Sequence, residues 1–232
     1  MEKIRSLLGL IKKTPLHPQW LLGTRFAPKE LRNVTGSLLD IGAGDRWLEK
    51  ELSNSVKYTA VDHPETGSKL YKAQPDIFTD AADLPFPNES FDNIACLEVL
   101  EHVPAPQQVL NEIFRVLKPG GKVWVSAPFL YPIHDAPFDF QRYSEFGLKN
   151  AALISGFKIT YIKPRSHALK TAGLLLCLAV SGGIYKTKGL SLLLLPLALL
   201  IIIIINISSW LLSYIWPNWD NLTQGYEMVL EK

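Results

Sequence analysis

Between Gly189 and Trp219 the chain runs for 31 residues without a charge, through LSLLLLPLALLIIIIINISSWLLSYIW, and then resumes as the strand-like GYEMVLEK. A helix needs about 20 apolar residues to cross a bilayer core. A chain of 232 residues has too little interior to surround a helix that is apolar on every face. The run therefore reads as a membrane-inserting segment rather than a buried core helix. A shorter uncharged stretch, Thr171–Tyr185, precedes it, with Lys186 and Lys188 between the two.

The pattern before this segment is different. From Gly36, short apolar runs alternate with helical stretches: SLLDIGAG, a helix-like WLEKELSN, KYTAVD, FDNIACLE, a helix over about 105–117, a Pro-Gly-Gly turn at 119–121, and KVWVSAPF. Such alternation predicts βαβ units around a parallel sheet. GFKITYIKPR from Gly156 and GYEMVLEK from Gly225 supply two further strands, so the apolar segment interrupts the connection between them. The predicted domains are a cap at 1–35, an α/β domain built from 36–165 and 220–232, and an apolar helical hairpin at 166–219. Both ends of that hairpin must return to one sheet. Two crossings would send Lys186 and Lys188 to the far side, against the positive-inside tendency. A hairpin broken at Pro196 that does not fully cross, with Trp210, Tyr214, Trp216 and Trp219 as an interfacial belt, avoids that conflict.

Charge is small in total, +2, but uneven. No Asp or Glu lies between Glu145 and Asp220, whereas seven Lys and Arg do, and the first 35 residues hold seven basic against two acidic groups. Basic residues beside apolar segments suit anionic lipid headgroups, so a bilayer is the expected partner. Neither nucleic acid nor a protein partner is expected. In MEKIRSLLGLIKK, Ile4, Leu7, Leu8 and Ile11 recur at helical spacing, which suits an interfacial anchor or a helix packed on its own domain. The segment lacks the uninterrupted apolar core of a signal peptide. Cys96 and Cys177 provide neither metal-ligand spacing nor a disulfide framework. These features place the protein at a membrane, with the α/β domain on its cytoplasmic, reducing side.

The chemistry is concentrated at strand ends. Leu38-Leu39-Asp40-Ile41-Gly42-Ala43-Gly44 is an apolar strand with an acid and a Gly-x-Gly turn, where backbone can approach a ligand closely. The third glycine of a dinucleotide fingerprint is missing. Asp62 ends the next strand, where a carboxylate accepts the two hydroxyls of a ribose.

With these elements the chain resembles the class I S-adenosylmethionine (SAM) dependent methyltransferases, in particular the type 11-like subgroup. The further motifs are Asp80-Ala81-Ala82-Asp83-Leu84-Pro85-Phe86, Phe91-Asp92, Glu98-Val99-Leu100-Glu101-His102 and Leu117-Lys118-Pro119-Gly120-Gly121. The resemblance covers about residues 36–162 and the last strand. It implies an α/β, Rossmann-like sheet of seven strands, the last antiparallel, with helices on both faces and the hairpin inserted before strand seven. It also implies SAM as cofactor. Asp40, Gly42 and Gly44 would lie along its methionine portion, Asp62 would hold the ribose, and Asp80 with Ala81 would take the adenine. Leu97 and Glu98 would face the methionine or the acceptor. Arg46-Trp47 departs from the small residue usual after the turn and narrows the SAM entrance.

A sulfonium is already a strong methyl donor, so the protein must chiefly align an acceptor. A base is needed only for an acceptor that loses a proton. In PFLYPIHDAPFDFQRY, His134 with Asp139 is the candidate catalytic pair; the same residues also suit bracing a loop. Glu98, Glu101 and His102, at i, i+3 and i+4, are of the types that bind divalent cations. The resemblance implies such a metal in some relatives and none in many others, and none is assigned here. The acceptor is expected to be a membrane-associated small molecule, lipid or lipid-linked glycan. The competing reading is a membrane-tethered, inactive scaffold of the same fold.

Overall fold

The computed structural model describes residues 11–23, 27–71, 73–186 and 191–232. Most of the expected N-terminal helix, and Lys188, lie outside them. The chain divides into two units, one of residues 27–129, 133–163 and 225–232, the other of residues 11–23, 130–132 and 164–224.

The first unit is built on seven strands: β1 (Ser37–Ile41), β2 (Lys57–Asp62), β3 (Ile77–Phe78), β4 (Phe91–Leu97), β5 (Leu117–Pro128), β6 (Lys158–Pro164) and β7 (Gly225–Glu231), in the order β3-β2-β1-β4-β5-β7-β6. Strands β1 to β5 pair in parallel, and β7 runs antiparallel to β5 from Lys122↔Glu231 to Pro128↔Gly225. This is the Rossmann-like seven-stranded sheet implied by the motifs. The order reverses beside β1, the position at which open α/β sheets bind ligands.

Adjacent residues of a strand point to opposite faces, and the core follows that rule. Leu39, Ile41, Ile94 and Cys96 face one side, with helix α2 (Pro106–Val116) and α3 (Glu145–Ile154). Leu38, Ala95, Trp124 and Val229 face the other, covered by Leu31 of the short helix α1 (Lys29–Arg32) and by Leu48. Helix α2 starts with Pro106 in its first turn and buries Val109, Leu110, Ile113 and Val116, a single helical stripe. Ser144 caps α3 by accepting from the Gly147 N–H at 3.2 Å. WLEKELSN does not form the expected helix. Only Glu49–Glu51 makes a 3-10 turn, because Arg46, at φ +56, turns the chain before it.

The second unit contains α4 (Ala168–Lys186) and α5 (Ser191–Ile215). Neighbours pairing from His167 with Trp216 through Gly173 with Ser209 to Cys177 with Asn206 show that they run antiparallel. Pro196, the expected break, sits within α5, which continues through it with the loss of a backbone hydrogen bond. At 1.5 Å per residue the helices are about 28 and 37 Å long. The two legs of the hairpin leave side by side: the Arg165 and Ser166 N–H groups donate to Thr223 Oγ1 at 3.2 and 3.3 Å, and the Gln224 N–H donates to Ser166 Oγ at 3.2 Å.

Thr171, Leu174 and Cys177 of α4 and Ala198, Ile202 and Asn206 of α5 are buried. Asn206 Nδ2 donates to the carbonyls of Pro15 (2.7 Å) and His17 (3.0 Å), fastening the N-terminal segment to α5. Leu193–Ile215 is long and apolar enough to cross a membrane, and only 17% of that stretch is buried. Leu193, Leu197, Leu200, Ile204, Leu211 and Ile215 are exposed.

Ile113→Ala, in the middle of the buried α2 stripe, should destabilise the α/β unit by about 2–5 kcal/mol, whereas Lys57→Ala at the exposed start of β2 should change stability by no more than about 0.5 kcal/mol. Denaturant titration followed by circular dichroism compares the two.

Candidate active site

The candidate ligand-binding residues collect at the carboxyl ends of parallel neighbours. Register places Ile41 beside Val61 and Cys96, so the segments following β1, β2 and β4 emerge together. Gly42 and Gly44 carry φ values of +74° and +55°, the left-handed region in which a side chain is strained. A Cβ at Gly42 would meet Val99 Cγ2 at 2.5 Å, whereas one at Gly44 would meet nothing within 4 Å. The backbone there is open to a ligand.

Asp62 is buried, 7% exposed. Its Oδ2 accepts from the Gly44 N–H and its Oδ1 from the His63 N–H, both at 2.8 Å. Gly67 lies against it, so that a Cβ there would stand 2.6 Å from Oδ1. The glycine turn and the acid of β2 thus form one hydrogen-bonded unit. Arg46 does not block it. Its guanidinium is drawn to Glu49 (2.8 Å) and Asp76 (2.9 Å) and lies over the Tyr58 ring at 5.2 Å.

Asp40 lies deeper, 4% exposed, and accepts from the Tyr58 hydroxyl at 2.5 Å. Burial raises its pKa to about 7, with the nearby Asp62 charge adding to the rise and the Tyr58 hydrogen bond opposing it. Asp80 is exposed and turns its Oδ1 to the Ala82 N–H (2.9 Å), while Ala81 is buried beneath it. Leu97 ends β4, and Glu98 follows at φ +58°, a conformation that costs a residue with a side chain about 1–3 kcal/mol. Its Oε1 accepts from Ser126 Oγ at 2.7 Å. The glycine opening, the paired acid and the exposed Asp80 fit the zwitterionic, adenosine-containing SAM: acceptors for hydroxyls and amines, and bare backbone for close approach.

A second cluster is built where the 133–142 loop is stitched to the turn after β4. Gln141 Nε2 donates to the carbonyls of Leu100 (2.6 Å) and Val103 (2.8 Å), and the Phe140 N–H donates to the Glu101 carbonyl (2.9 Å). His102 Nδ1 lies 2.6 Å from the Phe138 carbonyl, which accepts a hydrogen bond from it. The His102 and His134 rings meet edge to face at 4.8 Å.

Asp139 accepts from both terminal nitrogens of Arg142, from the His134 N–H at 2.8 Å, and stands 3.2 Å from His134 Nδ1. Arg142 holds its pKa down at about 2, so it is a carboxylate across the physiological range. Asp139 is fully occupied in bracing the loop and orienting His134, whose side chain remains 29% exposed.

Glu101 is the residue whose role the motif leaves unassigned. It is completely buried, and neither carboxyl oxygen has a hydrogen-bond partner among the described residues. Burial, reinforced by the charge of Glu98, raises its pKa well above the carboxylate range. Its closest basic neighbour is His102 Nε2 at 3.7 Å. Ligand atoms of Glu101, His102 and His134 lie within 4.8 Å of one another. The structure thus groups His134, rather than Glu98, with Glu101 and His102. One carboxylate and two imidazoles are a donor set that suits a divalent cation. Gln141, Tyr58 and Arg142 carry no motif of their own, and only the polar and aromatic density around His134 marks the loop in the sequence.

Residues 39–125, which carry the glycine turn, Asp62, Asp80 and the Glu98–His102 turn, match the family described as Methyltransferase domain. Over 131 residues the chain is 32% identical to the 27-O-demethylrifamycin SV methyltransferase of Amycolatopsis mediterranei, covering 51% of this chain and 48% of that protein. It is 30% identical over 126 residues to a ubiquinone biosynthesis O-methyltransferase of Pseudomonas fluorescens, covering 48% and 50%. The fold is shared with a SAM-dependent methyltransferase structure from Methanosarcina mazei, with a TM-score of 0.56 at 15% identity over 90% of this chain and 99% of that one. The chain spans about half the length of these curated relatives.

A buried acid with a raised pKa keeps its proton when folded and releases it at an ordinary carboxylate pH when unfolded, so its contribution to stability falls as pH rises between those values. The wild type should lose stability from about pH 4 to pH 7 through Asp40. Asp40→Asn should make that decline shallower by about 1 kcal/mol per pH unit, measured by urea unfolding at several pH values.

Proposed function

We propose that the whole chain transfers the methyl group of SAM to a nucleophilic atom, most simply a hydroxyl oxygen, of a membrane-associated acceptor: a lipid, a lipid-linked glycan or an amphiphilic small molecule. The observation that carries the acceptor class is the exposed apolar surface of α5 in the same polypeptide as the methyltransferase domain. An apolar surface of this extent needs a partner other than water. The bilayer is that partner, and the α/β unit sits on its cytoplasmic side.

SAM supplies an electrophilic methyl on sulfur. Gly42 and Gly44 would give backbone access for its methionine portion, with Asp40 nearby; Asp62 would hold the ribose hydroxyls, Asp80 and the Ala81 backbone the adenine, and Leu97 and Glu98 would face the methionine portion or the acceptor. His134, oriented by Asp139 and Arg142, would take the hydroxyl proton as the oxygen gains the methyl, with S-adenosylhomocysteine as the leaving group. Glu101 and His102 place the turn behind it. O-methylation accords with the Pseudomonas fluorescens relative, which is named an O-methyltransferase, while the other is named for a 27-O-demethylated compound. Both act, by their names, on other compounds.

Two measurements on the detergent-purified full-length protein test this. Calorimetric titration with SAM should show binding, weakened about 10–100-fold by Asp62→Ala, as expected for losing charge-assisted hydrogen bonds worth about 1.5–3 kcal/mol; Asp80→Ala, which leaves the Gly44 turn intact, should weaken it less. Methyl-tritiated SAM should then label lipid in a membrane extract, and His134→Ala should slow the labelling with little effect on SAM binding. Absence of SAM binding overturns the enzyme reading and favours the inert scaffold; label confined to water-soluble compounds overturns the acceptor. Loss of labelling on chelation with EDTA, restored by a divalent cation, would assign the Glu101, His102 and His134 cluster to a metal.

A further inference from the structure

The loop that carries His134 and Asp139 has an apolar exterior. Ile133 is 80% exposed and Phe140 51%, so each borders a polar residue of the cluster just described. On α3, Phe146 is 76%, Leu153 58% and Ile154 64% exposed. Phe146 and Leu153, seven residues apart, share a helix face. Lys149 lies over the Phe146 ring at 5.5 Å. Large apolar groups left in water beside a candidate catalytic histidine are a recognition surface rather than ordinary surface scatter.

The loop's own beginning identifies the occupant. Leu130–Pro132 belongs to the hairpin unit: the Leu130 N–H donates to the Gln224 carbonyl at 3.1 Å, and the Tyr131 hydroxyl accepts from Gln19 Nε2 at 2.7 Å. Ile133 is the next residue. A chain advances at most about 3.5 Å per residue, so Ile133 stays within one residue's reach of a segment hydrogen-bonded into the hairpin unit. From Phe146 to Trp219 the sequence holds Lys149, Lys158, Lys163, Arg165, Lys170, Lys186 and Lys188 and no Asp or Glu, with Lys149 paired to Glu145 and Lys163 to Glu227. That balance complements an anionic lipid surface.

We infer that Ile133, Phe140 and the exposed face of α3 dip into the acyl boundary of the bilayer that holds the hairpin, and that the acceptor reaches His134 along them. The acceptor is then an amphiphile whose alkyl chain stays in lipid beside Ile133 and Phe140 while its polar head rises to His134. This deepens, and rests on, the membrane reading proposed above.

The test uses the full-length protein with a single nitrobenzoxadiazole fluorophore on Ile133→Cys, Phe140→Cys, Leu200→Cys or Lys57→Cys; the native Cys96 and Cys177 are buried. Each is reconstituted into phosphatidylethanolamine and phosphatidylglycerol vesicles, with or without a lipid bearing a nitroxide on its acyl chain. The expected result is several-fold loss of emission at 133, 140 and 200 and none at 57. Quenching at 200 alone overturns the inference and leaves the membrane reading standing. Quenching nowhere overturns both. Lipid-independent changes at 133 and 140 that grow with protein concentration overturn it in favour of a second copy of the chain.

Discussion

Strand β7 lies between β5 and β6, yet it is made from the last residues of the chain, more than sixty after β6 begins. Everything inserted between Pro164 and Gly225 must return to a fixed slot, and seven antiparallel rungs from Lys122↔Glu231 to Pro128↔Gly225 hold it there. The legs of the excursion are tied by Thr223 to the Arg165 and Ser166 backbone. A hairpin with its feet so joined starts and ends at one place, and its two helices are each about the length of a bilayer's hydrocarbon core. Joined feet also permit a long apolar insertion in a domain of ordinary design, because no rung of the sheet depends on what lies beyond the feet.

The two parts of the site differ in how their atoms are committed. Around the glycine turn, backbone N–H groups are already directed at Asp62, and Arg46 is withdrawn by two carboxylates, so the surface beside Gly44 is prepared in advance. The Glu101 cluster is not satisfied in the same way. A completely buried acid with neither oxygen hydrogen-bonded is costly, and remaining protonated reduces that cost without removing it. The surrounding contacts, from Phe138, Phe140 and Gln141, are backbone-directed and rigid. Rigidity around an unsatisfied group is the arrangement expected where a ligand, proton or cation completes the set.

Much of the fold and of the cofactor half of the site was legible in the sequence because those features are local. A strand ending in Gly-x-Gly, an acid closing the following strand, and Pro or Ser at a helix start each express their geometry within a few residues. Alternation along SLLDI and FDNIACL likewise sorts the two faces of the core. WLEKELSN misleads because its helical spacing is real but Arg46 leaves the helical region just before it. Pro196 misleads because α5 continues through it with the loss of a backbone hydrogen bond. The second cluster was legible only as a dense polar loop: His102 meets Phe138 across 36 residues and Gln141 meets Leu100 across 41, and no spacing rule reports contacts at that range. The solitude of Glu101 is invisible in any sequence, since it is a statement about what surrounds a side chain.

Asn206 joins residues 191 and 189 positions apart when it donates to Pro15 and His17. During synthesis the N-terminal segment therefore waits, unpartnered, while nearly the whole polypeptide is made. Strand β7 follows later still, so the ribosome has released α5 before the sheet can close. Domains ordinarily complete themselves in order as they emerge. In this chain the slot beside β5 stays open until the apolar hairpin has been made. Closure of the sheet thereby waits on synthesis of the hairpin, and a chain cut short before Gly225 would present an unpaired β5 edge, the kind of surface that chaperones and proteases recognise.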